Sequence, residues 1–223
     1  VLLDLSPFTK IDITGDSVVD QLNHLTTSQM NIEIGRAIYT QILNPKGGIE
    51  MDVTLTRLGE TQFHLTSGAA TRQRDLAYLR RHLSGCTFTD VTEDFCTIGV
   101  MGAKSAQSLA ALNPDTNWAG VPLGQVLTTR SLGRDCRATR MSFVGEYGWE
   151  LTIPNDGAGA VFDALRETGA TPMGHFALDG CRIEKGFRHW GHDIGPTVTP
   201  LEAGLGFTID WTKDFIGKDA LLA

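Results

Sequence analysis

Apolar residues recur along this chain with two periods, and the changes from one to the other mark its elements. Val1-Leu2-Leu3-Asp4-Leu5 reads as a strand or a buried segment, and Phe8 to Ile13 alternates as a strand does. After Thr14-Gly15-Asp16-Ser17, a turn with capping residues, Val18, Val19, Leu22 and Leu25 recur at helical spacing and predict a helix of about three turns ending at Thr26-Thr27. Residues 37 to 43 form a strand that runs into Asn44-Pro45-Lys46-Gly47-Gly48, a turn by composition. Beyond it Ile49, Met51, Val53 and Leu55 point one way while Glu50, Asp52, Thr54 and Thr56 point the other, so the two strands make a hairpin and Asp52 sits mid-strand on its polar face.

The same reading continues to the C-terminus. Gly59-Glu60 turns the chain, Gln62 to Thr66 returns as a strand, and Thr71 to Leu83 is a helix with Leu76, Leu79 and Leu83 as its stripe and Arg72, Arg74, Arg80 and Arg81 outside. Thr87 to Val91 and Cys96 to Met101 are strands, and Ser105 to Leu112 is a helix stopped by Asn113-Pro114-Asp115. Strands follow at 126 to 131 and 134 to 143. The turn Val144-Gly145-Glu146-Tyr147-Gly148 leads into a strand in which Trp149, Leu151 and Ile153 share one face and Glu150 the other. Pro154-Asn155-Asp156 starts a helix to about Thr168, a second covers His175 to Arg188, residues 191 to 200 are irregular, and Gly204-Leu205-Gly206-Phe207 starts a strand. Hairpins mixed with helices place the chain in the α+β class, with mixed or antiparallel sheets. No G-x-G-x-x-G suggests a dinucleotide fold, and no repeat suggests a solenoid.

Composition narrows the classes. A net charge of -7 offers no basic field for a phosphate backbone, so nucleic acid is not an expected partner. Cys86, Cys96, Cys136 and Cys181 form no C-x-x-C pair, which leaves no zinc knuckle or redox dithiol and fits buried thiols in a reducing compartment. No apolar run approaches the roughly 18 residues of a membrane span. The expected setting is cytoplasmic, or the mitochondrial matrix for a eukaryotic source. The opening on Val1 suggests a piece of a longer chain, with residues 1–223 forming two intertwined α+β subdomains.

Two mid-strand carboxylates, each just after a glycine turn, are the candidates for chemistry. Asp is depleted in strands, so Asp52 is either a solvated outer position or a base held on a rigid element. Paired with Glu150 it suggests acid/base work of the glycosidase kind; alternatively one carboxylate accepts two parallel N–H bonds from an amidine-like ligand edge and the other is the base. Arg182, Lys185, Arg188 and His189 fall largely on one helix face. They form a solvated basic stripe, with Glu184 and Arg188 as an i, i+4 pair, or a patch for an anionic ligand tail. His189, His192 and Asp193 have some metal-like spacing, but Gly191 interrupts them and no fourth ligand is near, so no metal is expected. Trp118, Trp149 and Trp211 are expected in the core.

Three blocks, Tyr39-Thr-Gln-Ile-Leu-Asn-Pro-Lys-Gly-Gly-Ile-Glu-Met-Asp52, Phe143-Val-Gly-Glu-Tyr-Gly-Trp-Glu150 and Arg182-Ile-Glu-Lys-Gly-Phe-Arg-His-Trp-Gly-His-Asp193 running on to Thr199-Pro-Leu-Glu-Ala-Gly-Leu-Gly206, resemble the aminomethyltransferase (glycine cleavage T-protein) superfamily. The opening from Asp4 to Lys10 and the closing from Asp214 to Leu221 fit as well, so the likeness spans the chain. The wording from Ile183 to Gly191 looks most like the C-terminal folate domain of dimethylglycine and sarcosine dehydrogenases. The resemblance implies a T-protein-like fold without its C-terminal β-barrel, and tetrahydrofolate as the ligand. It further implies a separate FAD oxidoreductase domain that oxidises an N-methyl amine, the one-carbon donor.

Carried over by position, the resemblance makes Asp52 the catalytic carboxylate and Glu150 the group that grips the pterin edge. Tyr39, Phe143, Arg182 and Arg188 are the further ligand-binding positions. Phe143 stands where the T-proteins have tyrosine, Leu178 where the family often has arginine, and Gly68 where the T-proteins have asparagine. These departures favour the dehydrogenase branch over the aminomethyltransferases proper. A binding module without chemistry and a demethylating methyltransferase are the remaining expectations of this fold.

Overall fold

The structure, a computed structural model, describes residues 1–223. In chain order its elements are β1 (Leu2–Asp4), β2 (Thr9–Thr14), α1 (Val18–Leu25), β3 (Arg36–Leu43), β4 (Ile49–Gly59), β5 (Gln62–Ser67), α2 (Arg72–His82), β6 (Thr87–Asp90), β7 (Phe95–Met101), α3 (Ser105–Leu112), β8 (Val126–Ser131), β9 (Arg134–Thr139), β10 (Gly148–Pro154), α4 (Asn155–Glu167), α5 (His175–Lys185) and α6 (Lys218–Leu222). Single 3-10 turns lie at Ala69–Thr71, Trp118–Gly120 and Gly206–Thr208. The class is α+β, as the alternation of periods requires. The chain divides into two units, each assembled from two stretches: Val1–Pro7 with Thr92–Phe187, and Phe8–Val91 with Arg188–Ala223.

The unit made of Phe8–Val91 and Arg188–Ala223 is built on an antiparallel sheet of order β3-β4-β5-β2-β6. Alternation along β4 sends Met51, Val53 and Leu55 into a core with Ile11, Ile13, Phe63 and Leu65, closed by Val18, Leu22 and Leu25 of α1 and Leu76 and Leu79 of α2. The opposite face at the hairpin end is covered by the returning segment, whose Ile194, Ala203, Leu205, Ile209 and Phe215 pack with Leu43 and Ile49. Trp190 joins them, its Nε1 donating to the Ile49 carbonyl at 3.0 Å.

In the other unit the antiparallel order is β1-β7-β10-β9-β8. Trp149, Leu151 and Ile153 of β10 face Leu109 of α3 and Val161 and Leu165 of α4, with Trp118 edge-on to Trp149 at 5.0 Å between ring centres. Each unit is thus a sheet with helices on one face.

Four expectations are corrected. The helix from His175 ends at Lys185, because Gly186 takes the left-handed backbone (φ +73°) and Phe187 N–H folds back to the Arg182 carbonyl at 2.8 Å. Arg188 and His189 therefore lie beyond it, and the i, i+4 relation of Glu184 to Arg188 does not exist. The strand expected from Gly204 is a 3-10 turn, since Gly204 is also left-handed (φ +70°) and Thr208 N–H bonds the Leu205 carbonyl at 3.0 Å. Strand β9 stops at Thr139 rather than 143, where Arg140 bonds Gly124 and Gln125 and lays its guanidinium over Tyr147. Trp211, placed in the core from sequence, is 39% exposed on the loop after the 3-10 turn.

Candidate functional site: two carboxylates opposite the helical layers

The hairpin register sets Gln41 of β3 directly across from Asp52 of β4, a pairing that brings side chains on one face together. Gln41 Nε2 donates to Asp52 Oδ1 at 2.9 Å. Tyr39, two places along the same face, shares hydrogen bonds with Asp52 and Gln41. On the far side of Gln41, Thr208 Oγ1 lies against its Oε1. This group is seated in buried hydroxyls: Thr27 and Thr40 Oγ1 are 3.1 Å apart, and Ser28 Oγ donates to the Thr208 carbonyl at 2.6 Å.

Burial pushes the Asp52 carboxyl up to about 6, against the Gln41 and Tyr39 bonds that hold it down. Its midpoint is thereby placed close to neutral, where a carboxylate can accept a proton and give it back. The Tyr39 phenol is pushed well above its ordinary range, first by burial and then by the neighbouring Asp52 charge, so it acts as a neutral donor. Arg188 opposes that rise through its charge, while its Nε donates to the Ala203 carbonyl at 2.8 Å.

Glu150 occupies the middle strand of the other sheet, between Gly99 of β7 and Thr139 of β9, on the face away from α3 and α4. Its carboxyl is raised to about 7 and burial is the sole cause: neither a protein donor nor a cation holds it down. A carboxylate in that condition is completed by a ligand that brings N–H groups.

The remaining sequence candidates divide between the units. Phe143 stacks on Phe187, ring centres 6.1 Å apart at 15°, in the unit of Glu150. Arg182 is in that unit too, but it is 4% exposed, with Nε on Asp179 at 2.6 Å and Nη1 on the Phe187 carbonyl at 3.1 Å, so it is not part of a solvated stripe. Tyr39, Asp52 and Arg188 come together in the other unit. His189 and His192 have ring centres 4.5 Å apart, and no three His, Cys, Asp or Glu are grouped to hold a metal. Sequence reasoning missed the roles of Gln41 and Thr208. Counting outward from the Asn44–Gly48 turn pairs Gln41 with Met51, and only the bulge between Ile42 and Leu43 shifts the register to set Gln41 opposite Asp52; Thr208 carries no local signal.

The layered α+β chain, with a near-neutral aspartate on the hairpin of one unit and an unpartnered glutamate on the sheet of the other, has the T-protein fold. The family model for the GCVT N-terminal domain matches residues 1–213, and the chain belongs to that family. It is 42% identical over 232 residues to 4-methylaminobutanoate oxidase (formaldehyde-forming) of Paenarthrobacter nicotinovorans, covering 100% of this chain and 28% of that protein. To human mitochondrial sarcosine dehydrogenase it is 32% identical over 244 residues, covering 99% and 27%. The crystal structure of the glycine cleavage system aminomethyltransferase T from Bartonella henselae superposes with a TM-score of 0.89 at 28% identity, covering 99% of this chain and 62% of that one. The chain thus spans little more than a quarter of the two oxidoreductase relatives. No helix is long and apolar enough to cross a membrane.

Proposed function

We propose that this chain is a tetrahydrofolate-dependent one-carbon transfer domain, capturing the carbon of an oxidised N-methyl amine as 5,10-methylenetetrahydrofolate within a dimethylglycine or sarcosine dehydrogenase-like enzyme whose FAD domain is separate. The observation that carries this reading is the Glu150 carboxyl, raised to about 7 by burial with no protein donor. The edge of a pterin, with an amino group beside a ring N–H, brings the two parallel donors such a carboxylate lacks. The names of the relatives support the setting: amine oxidation in two, aminomethyl transfer in the third.

Tetrahydrofolate, when bound, would supply two amine nitrogens to take the carbon from the iminium, with release of the free amine and one proton. The residues of this chain do the rest. Asp52 accepts that proton, its raised midpoint matching a base at near-neutral pH. Tyr39 and Gln41 hold the carboxylate in place, and Phe143, backed by Phe187, offers an aromatic face. Arg188 is the cation for an anionic tail, and Arg182 braces the end of α5 through the Phe187 carbonyl.

The test is calorimetric titration of the 223-residue chain with folinic acid, beside Glu150→Gln. Binding by the parent, weakened at least about tenfold in the variant, is expected from the loss of a charged bidentate acceptor. A parent chain that does not bind, or a variant that binds equally well, overturns the reading.

A further inference from the structure

Thr208 Oγ1 lies against two acceptors, Gln41 Oε1 and the Leu205 carbonyl oxygen, the second at 2.7 Å. A hydroxyl has one proton, so it serves one of them at a time. The Leu205 carbonyl does not depend on it, since the Thr208 backbone N–H already reaches that oxygen at 3.0 Å. Gln41 Nε2 meanwhile donates to Asp52 Oδ1 at 2.9 Å. That arrangement suits an ionised Asp52: carboxylate accepts from amide, and amide oxygen accepts from Thr208.

A half-turn of the Gln41 amide exchanges its oxygen and nitrogen in nearly the same volume. Oε1 then faces Asp52 and requires a donor there, which the carboxyl provides only when protonated. Nε2 faces Thr208 Oγ1, which accepts and sends its own proton to Leu205. Of the two sets, the turned one pairs Asp52, Gln41 Oε1 and Thr208, and gives up one bond, that of the Gln41 amide to Tyr39, while Tyr39 keeps its bond to Asp52. The other groups facing this chain keep their roles in both: Tyr39 stays a neutral donor, Arg188 stays on Ala203, and Glu50, two places from Asp52 on β4, is held by Arg74.

We propose that Gln41 is a positioning residue whose side-chain amide turns over with the protonation of Asp52, and that Thr208 is the hydroxyl that completes both orientations. The inference rests on the reading of Asp52 as the proton acceptor. It deepens that reading, because a proton reaching Asp52 is then received with the Gln41 and Thr208 contacts kept and only the Gln41 to Tyr39 bond given up.

The deciding readout is made on the parent chain without ligand. The Gln41 side-chain amide and the Asp52 carboxyl carbon are followed by NMR in the ligand-free chain from about pH 8 to about pH 4, spanning the Asp52 midpoint near 6. The amide protons are expected to gain cross-relaxation to the Thr208 methyl several-fold as pH falls, with the same midpoint as the Asp52 carbon, and Asp52→Asn is expected to abolish that dependence. Cross-relaxation that stays constant through the Asp52 titration overturns the proposal. A chain that shows the exchange but does not bind folinic acid sinks the folate reading alone; one that binds without the exchange sinks this inference alone.

Discussion

At the residue scale, Glu150 and Asp52 differ in what answers them. Asp52 has two protein donors and Glu150 has none, so under the proposed function it is the ligand that holds Glu150 ionised. Below about pH 7 the free protein holds a proton on Glu150 that a bidentate ligand must displace. Affinity for folinic acid is therefore expected to fall towards about tenfold per pH unit below that midpoint, with close to one proton released on binding. Calorimetry in buffers of different ionisation enthalpy measures both, and a flat affinity with no proton release shows that the carboxylate does not meet the ligand. Strand alternation made both positions legible in the sequence, since an odd–even pattern fixes a face without any knowledge of partners. It could not say that Thr208 closes the Gln41 chain, because that contact depends on the path of the returning segment.

At the scale of the element, the Asn44–Gly48 turn holds the hairpin that bears Asp52. Asn44 Oδ1 accepts from the backbone N–H groups of Lys46 and Gly48, and its Nδ2 donates to the Pro196 carbonyl at 2.9 Å. A Cβ on Gly48 would lie 1.8 Å from that same carbonyl oxygen. Gly48→Ala must push the 195–198 loop off the hairpin, and a loss of about 2–4 kcal/mol is expected in urea unfolding. Gly133, left-handed at φ +80° with nothing within 4 Å of its Cβ position, serves as the control: alanine there costs about 1 kcal/mol of backbone strain. Equal effects would show that the Pro196 approach is not what requires glycine at position 48. The sequence marked this turn as glycine-rich but not why, since a packing reason lies in a distant segment. The same limit explains the misread stretches: Gly186 and Gly204 sit within helical and strand-like patterns, and only the backbone reveals their left-handed conformations.

At the scale of the molecule, two sheets with separate cores each carry one carboxylate whose protonation folding favours. The sign follows from the direction of the shifts. Asp52 rises from 3.8 to about 6 and Glu150 from 4.5 to about 7, so between those limits the folded chain binds more protons than the unfolded one. Their contribution to stability is most favourable below about pH 4, declines as pH rises, and is at its worst above about 7. This is opposite to the usual acid lability of paired carboxylates. Each shift corresponds to about 3 kcal/mol at most, and partial solvent access to both side chains reduces it. Asp52→Asn and Glu150→Gln are therefore expected to be more stable than the parent by about 1–3 kcal/mol at pH 8, with the advantage gone by about pH 4. Their effects should add, because no hydrogen bond or ion pair links the two groups. Urea unfolding of the parent, both single variants and the double variant at the two pH values measures this. Variants that are destabilised at pH 8 would mean that both carboxylates are held ionised by the fold, and the strain assigned to the site would be absent.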